Sequence, residues 1–143
     1  MYSESSKFDH ASTLIGDMSD YMANGEFVKL ADCEGTYKPG EMNVKGWVMF
    51  KDNFAPENAK GLDKLNVYLV VLRNVPGEEA TNEDGTRTLF IRLPKTLGIR
   101  LVEDFNNASV NGVTIEDYVS DIKRVRTYKT KYATTGATFE AFD

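Results

Sequence analysis

The chain has 143 residues, 41% of them hydrophobic, 27% charged and 11% aromatic, with a formal net charge of −5. That length and mixture suit one folded domain with a single core, and they exclude a disordered chain. No apolar run approaches a membrane span and the first residues lack the apolar stretch of a signal peptide, so no membrane partner is expected.

Phe8, Ala11, Ile15, Met18 and Met22 are spaced by three and four residues. The spacing predicts an amphipathic helix over 1–25, ended by Asn24-Gly25. Its stripe would pack on the domain, dock a protein partner or mediate self-association. Residues 26–143 would form a single β-rich α+β domain.

From Glu26 the period changes. EFVKLADC reads as a first strand and EGTYKPGE as a turn. MNVKGWVMFK alternates, with Met42, Val44, Val48 and Phe50 on one face and Asn43, Lys45, Trp47, Met49 and Lys51 on the other. LDKLNVYLVVLRNV is the strongest strand, bulky on both sides and therefore central. Its Leu65, Val67, Leu69, Val71 and Val75 share a face. RTLFIRL should pair with it as a hairpin across the polar loop 76–86, the most mobile interior loop expected. In RTLFIRL, Leu89, Ile91 and Leu93 point one way, and Phe90 and Arg92 the other.

After Pro94 the spacing is helical again, with Leu97, Leu101, Val102 and Phe105 on one face. Asn111-Gly112 marks a turn, and Thr114 with Asp117 forms a helix-start box before Ile115, Tyr118, Val119 and Ile122. A basic strand and a short last strand close the chain. The order is helix, four strands, two helices, two strands. It gives an α+β fold, either a mainly antiparallel sheet or an OB-like five-stranded barrel.

The residues of most catalytic chemistry are sparse. His10 is the only histidine and Cys33 the only cysteine, so neither a histidine metal site nor a Ser-His-Asp arrangement is expected. No disulfide can form within the chain, which fits a reducing, cytoplasmic compartment. The pairs Glu103-Asp104 and Glu116-Asp117 are adjacent on helices and do not face one another, so they make no catalytic dyad. No phosphate-cradling loop is present. The expectation is a protein without enzymatic activity, metal or cofactor.

Charge is segregated instead. KRVRTYKTKY carries Lys123, Arg124, Arg126, Lys129 and Lys131 beside Tyr128 and Tyr132, and no acid occurs from Ile122 to Phe139. The remaining twelve cations face twenty-two acids. As a strand, Arg124, Arg126, Tyr128 and Tyr132 share one face, which must stay wet or meet something anionic. Lys45, Trp47 and Lys51 share a face, as do Phe90 and Arg92, while Arg73 ends the central strand, on which Tyr68 is a further candidate contact. Cations that track phosphates beside rings that stack bases suit single-stranded nucleic acid. The alternative is an edge strand whose lysines discourage edge-to-edge pairing.

The run RTLFIRLPKTLGIRLVEDFNN, a short helix, then IKRVRTYKTKY and the ending FEAFD resemble small phage-type single-stranded DNA-binding proteins with OB folds. The similarity covers about the C-terminal half. It implies stacking aromatics, a cationic groove, an acidic tip that recruits partners, and work in the cytoplasm of a bacterial host. The tip departs from that pattern, since only Glu140 and Asp143 are acidic and Phe139 and Phe142 accompany them. The expected function is non-enzymatic binding of single-stranded nucleic acid. The alternatives are a phage- or plasmid-encoded inhibitor of a host nuclease or defence complex, and a structural or assembly protein.

Overall fold

The computed structural model describes residues 11–16, 18–33 and 40–120, and the backbone of 124–129 and 135–140. In chain order the elements are β1 (Ala11–Leu14), α1 (Met18–Met22), β2 (Gly25–Lys29), a 3₁₀ turn (Leu30–Cys33) and β3 (Met42–Lys51). There follow a second 3₁₀ turn (Gly61–Lys64), β4 (Leu65–Arg73), β5 (Arg87–Arg92), α2 (Lys95–Val110), α3 (Ile115–Ser120), β6 (Arg124–Lys129) and β7 (Thr135–Glu140).

Five strands form one mostly antiparallel sheet in the order β1-β3-β4-β5-β2, with β2 parallel to β5. β6 and β7 make a separate antiparallel hairpin. The α+β class and the central position of β4 follow the sequence. The OB-like barrel does not. Closure would require the edge strands β1 and β2 to pair, and they lie at opposite ends of the sheet, so among the described residues no barrel closes.

The N-terminal helix is a second correction. Ala11–Leu14 extend along β3, with Ala11 opposite Met49 and Leu14 opposite Gly46, and only Met18–Met22 are helical. The β-branched Thr13 and Ile15 favour extended backbone. Gly16, at φ +98°, then turns the chain out of any helical path. Phe8 and the rest of 1–10 lie outside the described residues, as do residues 34–39 of the expected turn EGTYKPGE.

Within β3 the alternation slips. The ladder to β4 passes from Val44↔Val71 to Gly46↔Val70, leaving Lys45 as a bulge. Beyond it the phase reverses, so Met42, Val44, Trp47 and Met49 enter one cluster, while Val48 and Phe50 face the other way. Gly46 permits this at φ +133°, and a Cβ there would lie 2.0 Å from the Thr13 carbonyl oxygen on β1. The bulge therefore sets both the face of Trp47 and the docking of β1.

One face of the sheet is covered by α2 over β4 and α3 over β3. Trp47, Leu69, Val71 and Ile91 are closed to solvent there, beneath Leu101, Val102 and Val119. Each large side chain so buried contributes about 1.5–3 kcal/mol. Gly98 lets α2 approach closely, since a Cβ would come within 2.8 Å of Val67 Cβ. The helix-start box forms as expected, with the Asp117 N–H donating to Thr114 Oγ1 at 3.1 Å. Tyr118 donates its hydroxyl to Asp104 at 2.5 Å and ties α3 to α2.

Loop 76–86 is more tightly held than its composition suggests. Asn82 Nδ2 donates to the hydroxyls of Thr86 and buried Thr88, and its Oδ1 accepts from Asn24. Glu78 receives two hydrogen bonds from Arg73, at 2.7 and 2.6 Å, and Arg87 bridges Glu78 to Glu26 on β2. This chain of charges pins the loop across β4, β5 and β2.

Candidate nucleic-acid interface

The second face of the sheet is only partly covered. α1 crosses it as the chain passes from β1 to β2, and its Met18 and Tyr21 pack on Val48, Val70 and Phe90. A five-residue helix is about 7.5 Å long, less than two of the strand spacings of about 4.8 Å it would have to span. Among the described residues no other helix crosses this face.

Four aromatic rings meet on this face, one from each of four neighbouring strands: Phe27 on β2, Phe90 on β5, Tyr68 on β4 and Phe50 on β3. Phe90 is the floor, 0% exposed, and Phe27 stacks on it with centroids 4.9 Å apart and planes 18° from parallel. Tyr68 meets Phe27 edge-on at 5.5 Å and Phe50 at 5.4 Å, and Phe27 and Phe50 are 6.2 Å apart. Phe27 remains 52% exposed. A large apolar ring held half in water on a polar-rimmed face is the kind of surface that marks an interaction site.

Beside the rings runs a row set by register. Lys29 pairs with Arg92, Arg92 with Tyr68, and Tyr68 with Val48. Strand alternation puts Lys29 on the face of Phe27, and Arg92 on that of Phe90. Both cations are exposed, and among the described residues neither makes an ion pair. The Asp32 carboxylate accepts from the Lys29 backbone N–H at 3.1 Å, and Asp52 feels the charge of Arg92. The Asp52 carboxyl is held below the usual range first by the hydrogen bond from Lys95 and only weakly by the charge of Arg92. Lys95 also donates to the carbonyls of Asp63 and Leu65.

Of the residues singled out in the sequence, the structure brings Tyr68 and Arg92 together on this face. It withdraws others. Trp47 is 0% exposed under the helices, packed edge-to-face on Phe105 and Tyr118, because the bulge reverses its phase. Among the described residues its Nε1 has no hydrogen-bond partner. Lys45, the bulged residue, does not share a strand face with Trp47. Phe90 is buried beneath Phe27 and offers no open ring. Arg73 points to the helix-covered side, where it holds Glu78 and touches Met42 Sδ at 3.7 Å. Arg124, Arg126 and Tyr128 are on β6, described as backbone, and Tyr132 lies outside the described residues.

Phe27, Lys29 and Phe50 were not singled out. The signal was present: Phe27 and Lys29 stand two apart in a strand, the same ring-and-cation alternation as Phe90 and Arg92. Among the described residues, no group of three or more metal-ligating side chains gathers, and no helix is long and apolar enough to cross a membrane. No protein-family model, curated protein or solved structure matches the chain.

Proposed function

We propose that this protein binds single-stranded nucleic acid on the open face of its sheet, by stacking and phosphate neutralisation and without catalysis. The observation that carries the reading is the half-exposed ring of Phe27, resting on Phe90 beside the exposed cations Lys29 and Arg92. Bases stack on Phe27 and on the half-buried Tyr68 beside it, and phosphates lie along the row of Lys29 and Arg92. The helical layer behind the sheet carries Glu103, Asp104, Glu116 and Asp117, whose charge disfavours approach of the strand from that side.

The geometry also limits the affinity. Three rings within 6.2 Å of one another form one platform, with room for one or two bases. At about 1–3 kcal/mol per stacked base, against about 4 kcal/mol for a millimolar complex, the face alone binds weakly. The reading does not need an OB barrel, and the similarity to phage-type single-stranded DNA-binding proteins supports it through the stacking and cationic residues alone. Work in the cytoplasm of a bacterial host belongs to the same proposal, and lone Cys33 is compatible with it. Fluorescence anisotropy of a labelled single-stranded oligonucleotide tests the reading: binding must weaken steeply as salt rises.

A further inference from the structure

We propose that two copies of this chain associate through the loop 52–64, the Phe54 ring of each entering a cleft beside that loop on the other. Phe54 is 94% exposed, the most exposed large apolar side chain described. It is presented by a loop whose ends are tied. The Asp52 N–H donates to the Lys64 carbonyl at 2.8 Å, and the Ala55 N–H returns to the Asp52 carbonyl at 3.2 Å. The Phe54 N–H donates to Asp52 Oδ1 at 3.0 Å. Lys95 Nζ clamps the closure from α2, donating to Asp52 Oδ2 and to the carbonyls of Asp63 and Leu65. Compact loops closed in this way are frequently functional, and a loop fixed before contact gives up little entropy on docking.

The same loop borders a cleft of about 500 Å³ that Phe54 does not line. Ala55, Pro56, Ala59 and Leu65 supply its apolar lining, and aromatic rings are favoured anchors at protein interfaces. Knob and hole thus belong to one patch. A two-fold axis through such a patch brings each knob to the other copy's hole, the self-complementarity that an isologous interface needs. The charges agree. Lys51 and Lys64 bring cations to the cleft and Asp52 and Glu57 bring acids, so its lining carries no net charge. A polyanion gains little from such a lining, whereas a copy of the same patch can match it acid to lysine. Glu57 and Lys64 are the pair available for this, both exposed and, among the described residues, without an ion pair. This association is independent of nucleic-acid binding on the sheet face.

Sedimentation velocity on the full chain, from micromolar to millimolar concentration, tests the association. The wild type should show a reversible monomer–dimer equilibrium. Phe54→Ser removes the knob, and Ala59→Trp fills the hole, since Ala59 lines the cleft. Each should raise the dimer dissociation constant by at least about a hundredfold, because two apolar contacts are lost per dimer. The thermal melt of Phe54→Ser should be unchanged, since the ring is already in water. Mixed together, the two variants should associate more tightly than either alone, because the knob of Ala59→Trp still finds the hole of Phe54→Ser. A wild type that is monomeric throughout, a dimer that survives Phe54→Ser, or a mixture no tighter than its parts would overturn the proposal. A monomeric protein whose oligonucleotide binding is weakened by Phe54→Ser would overturn it too, and give the ring to nucleic acid.

Discussion

Phe27 lies flat on Phe90 at 4.9 Å, and of the two stacked rings one is half in water while the other is sealed. The stack therefore divides two roles between chemically identical residues. Phe90→Ala opens a cavity in the cluster of Val48 and Val70 and should cost about 3–5 kcal/mol of stability. Phe27→Ala removes a ring that is already half solvated and should cost about 1 kcal/mol. It should weaken oligonucleotide binding by about 1–3 kcal/mol. Denaturant midpoints and anisotropy titrations on the two variants check both halves.

Arg92→Ala and Lys29→Ala should each flatten the dependence of log K on log salt by about 0.7. Both side chains are exposed without ion pairs among the described residues, so stability should change by less than about 0.5 kcal/mol. A loss of binding with no change in slope would place these cations away from the phosphates.

The Glu78 carboxyl is held below its usual range, chiefly by the hydrogen bonds from Arg73. A depressed acid favours the folded state only when ionised. Its contribution is therefore full above the ordinary glutamate value of about 4.3 and is lost as pH falls through the lower folded value. Acid-induced loss of stability below about pH 4 should accordingly be shallower in Glu78→Gln than in the wild type. Parallel acid slopes in urea melts of the two proteins would remove Glu78 from the account of stability.

Gly46→Ala tests the bulge. The added Cβ would meet the Thr13 carbonyl oxygen at 2.0 Å, at a φ of +133° that L side chains rarely adopt. The expected outcome is a loss of about 2–4 kcal/mol, with β1 freed first. Hydrogen exchange at Thr13 and Leu14 should rise before exchange at Leu69 does.

Much of the fold was legible in local pattern. β3, β4, β5 and α2 carry periods long enough to declare themselves, and the face of α2 formed by Leu97, Leu101, Val102 and Phe105 packs as its spacing implies. The N-terminal stretch misled because Ala11, Ile15 and Met18 fit a helical spacing while pairing with an edge decides the matter. Trp47 misled because a one-residue bulge reverses every face beyond it, and Gly46 is its only trace in the sequence. The parallel placement of β2 beside β5 depends on α1 crossing the sheet, which no local spacing encodes. Phe27 thus met Phe90 through topology, and half of the candidate site was hidden with it.

The most direct measurement is a backbone amide NMR titration of the full chain with a short single-stranded oligonucleotide at low salt. The expected result is shift changes concentrated at Phe27, Lys29, Phe50, Tyr68 and Arg92, which reverse when salt is raised. Shift changes confined to α2 and α3, or none with the oligonucleotide in large excess, would contradict a nucleic-acid interface on the open face of the sheet.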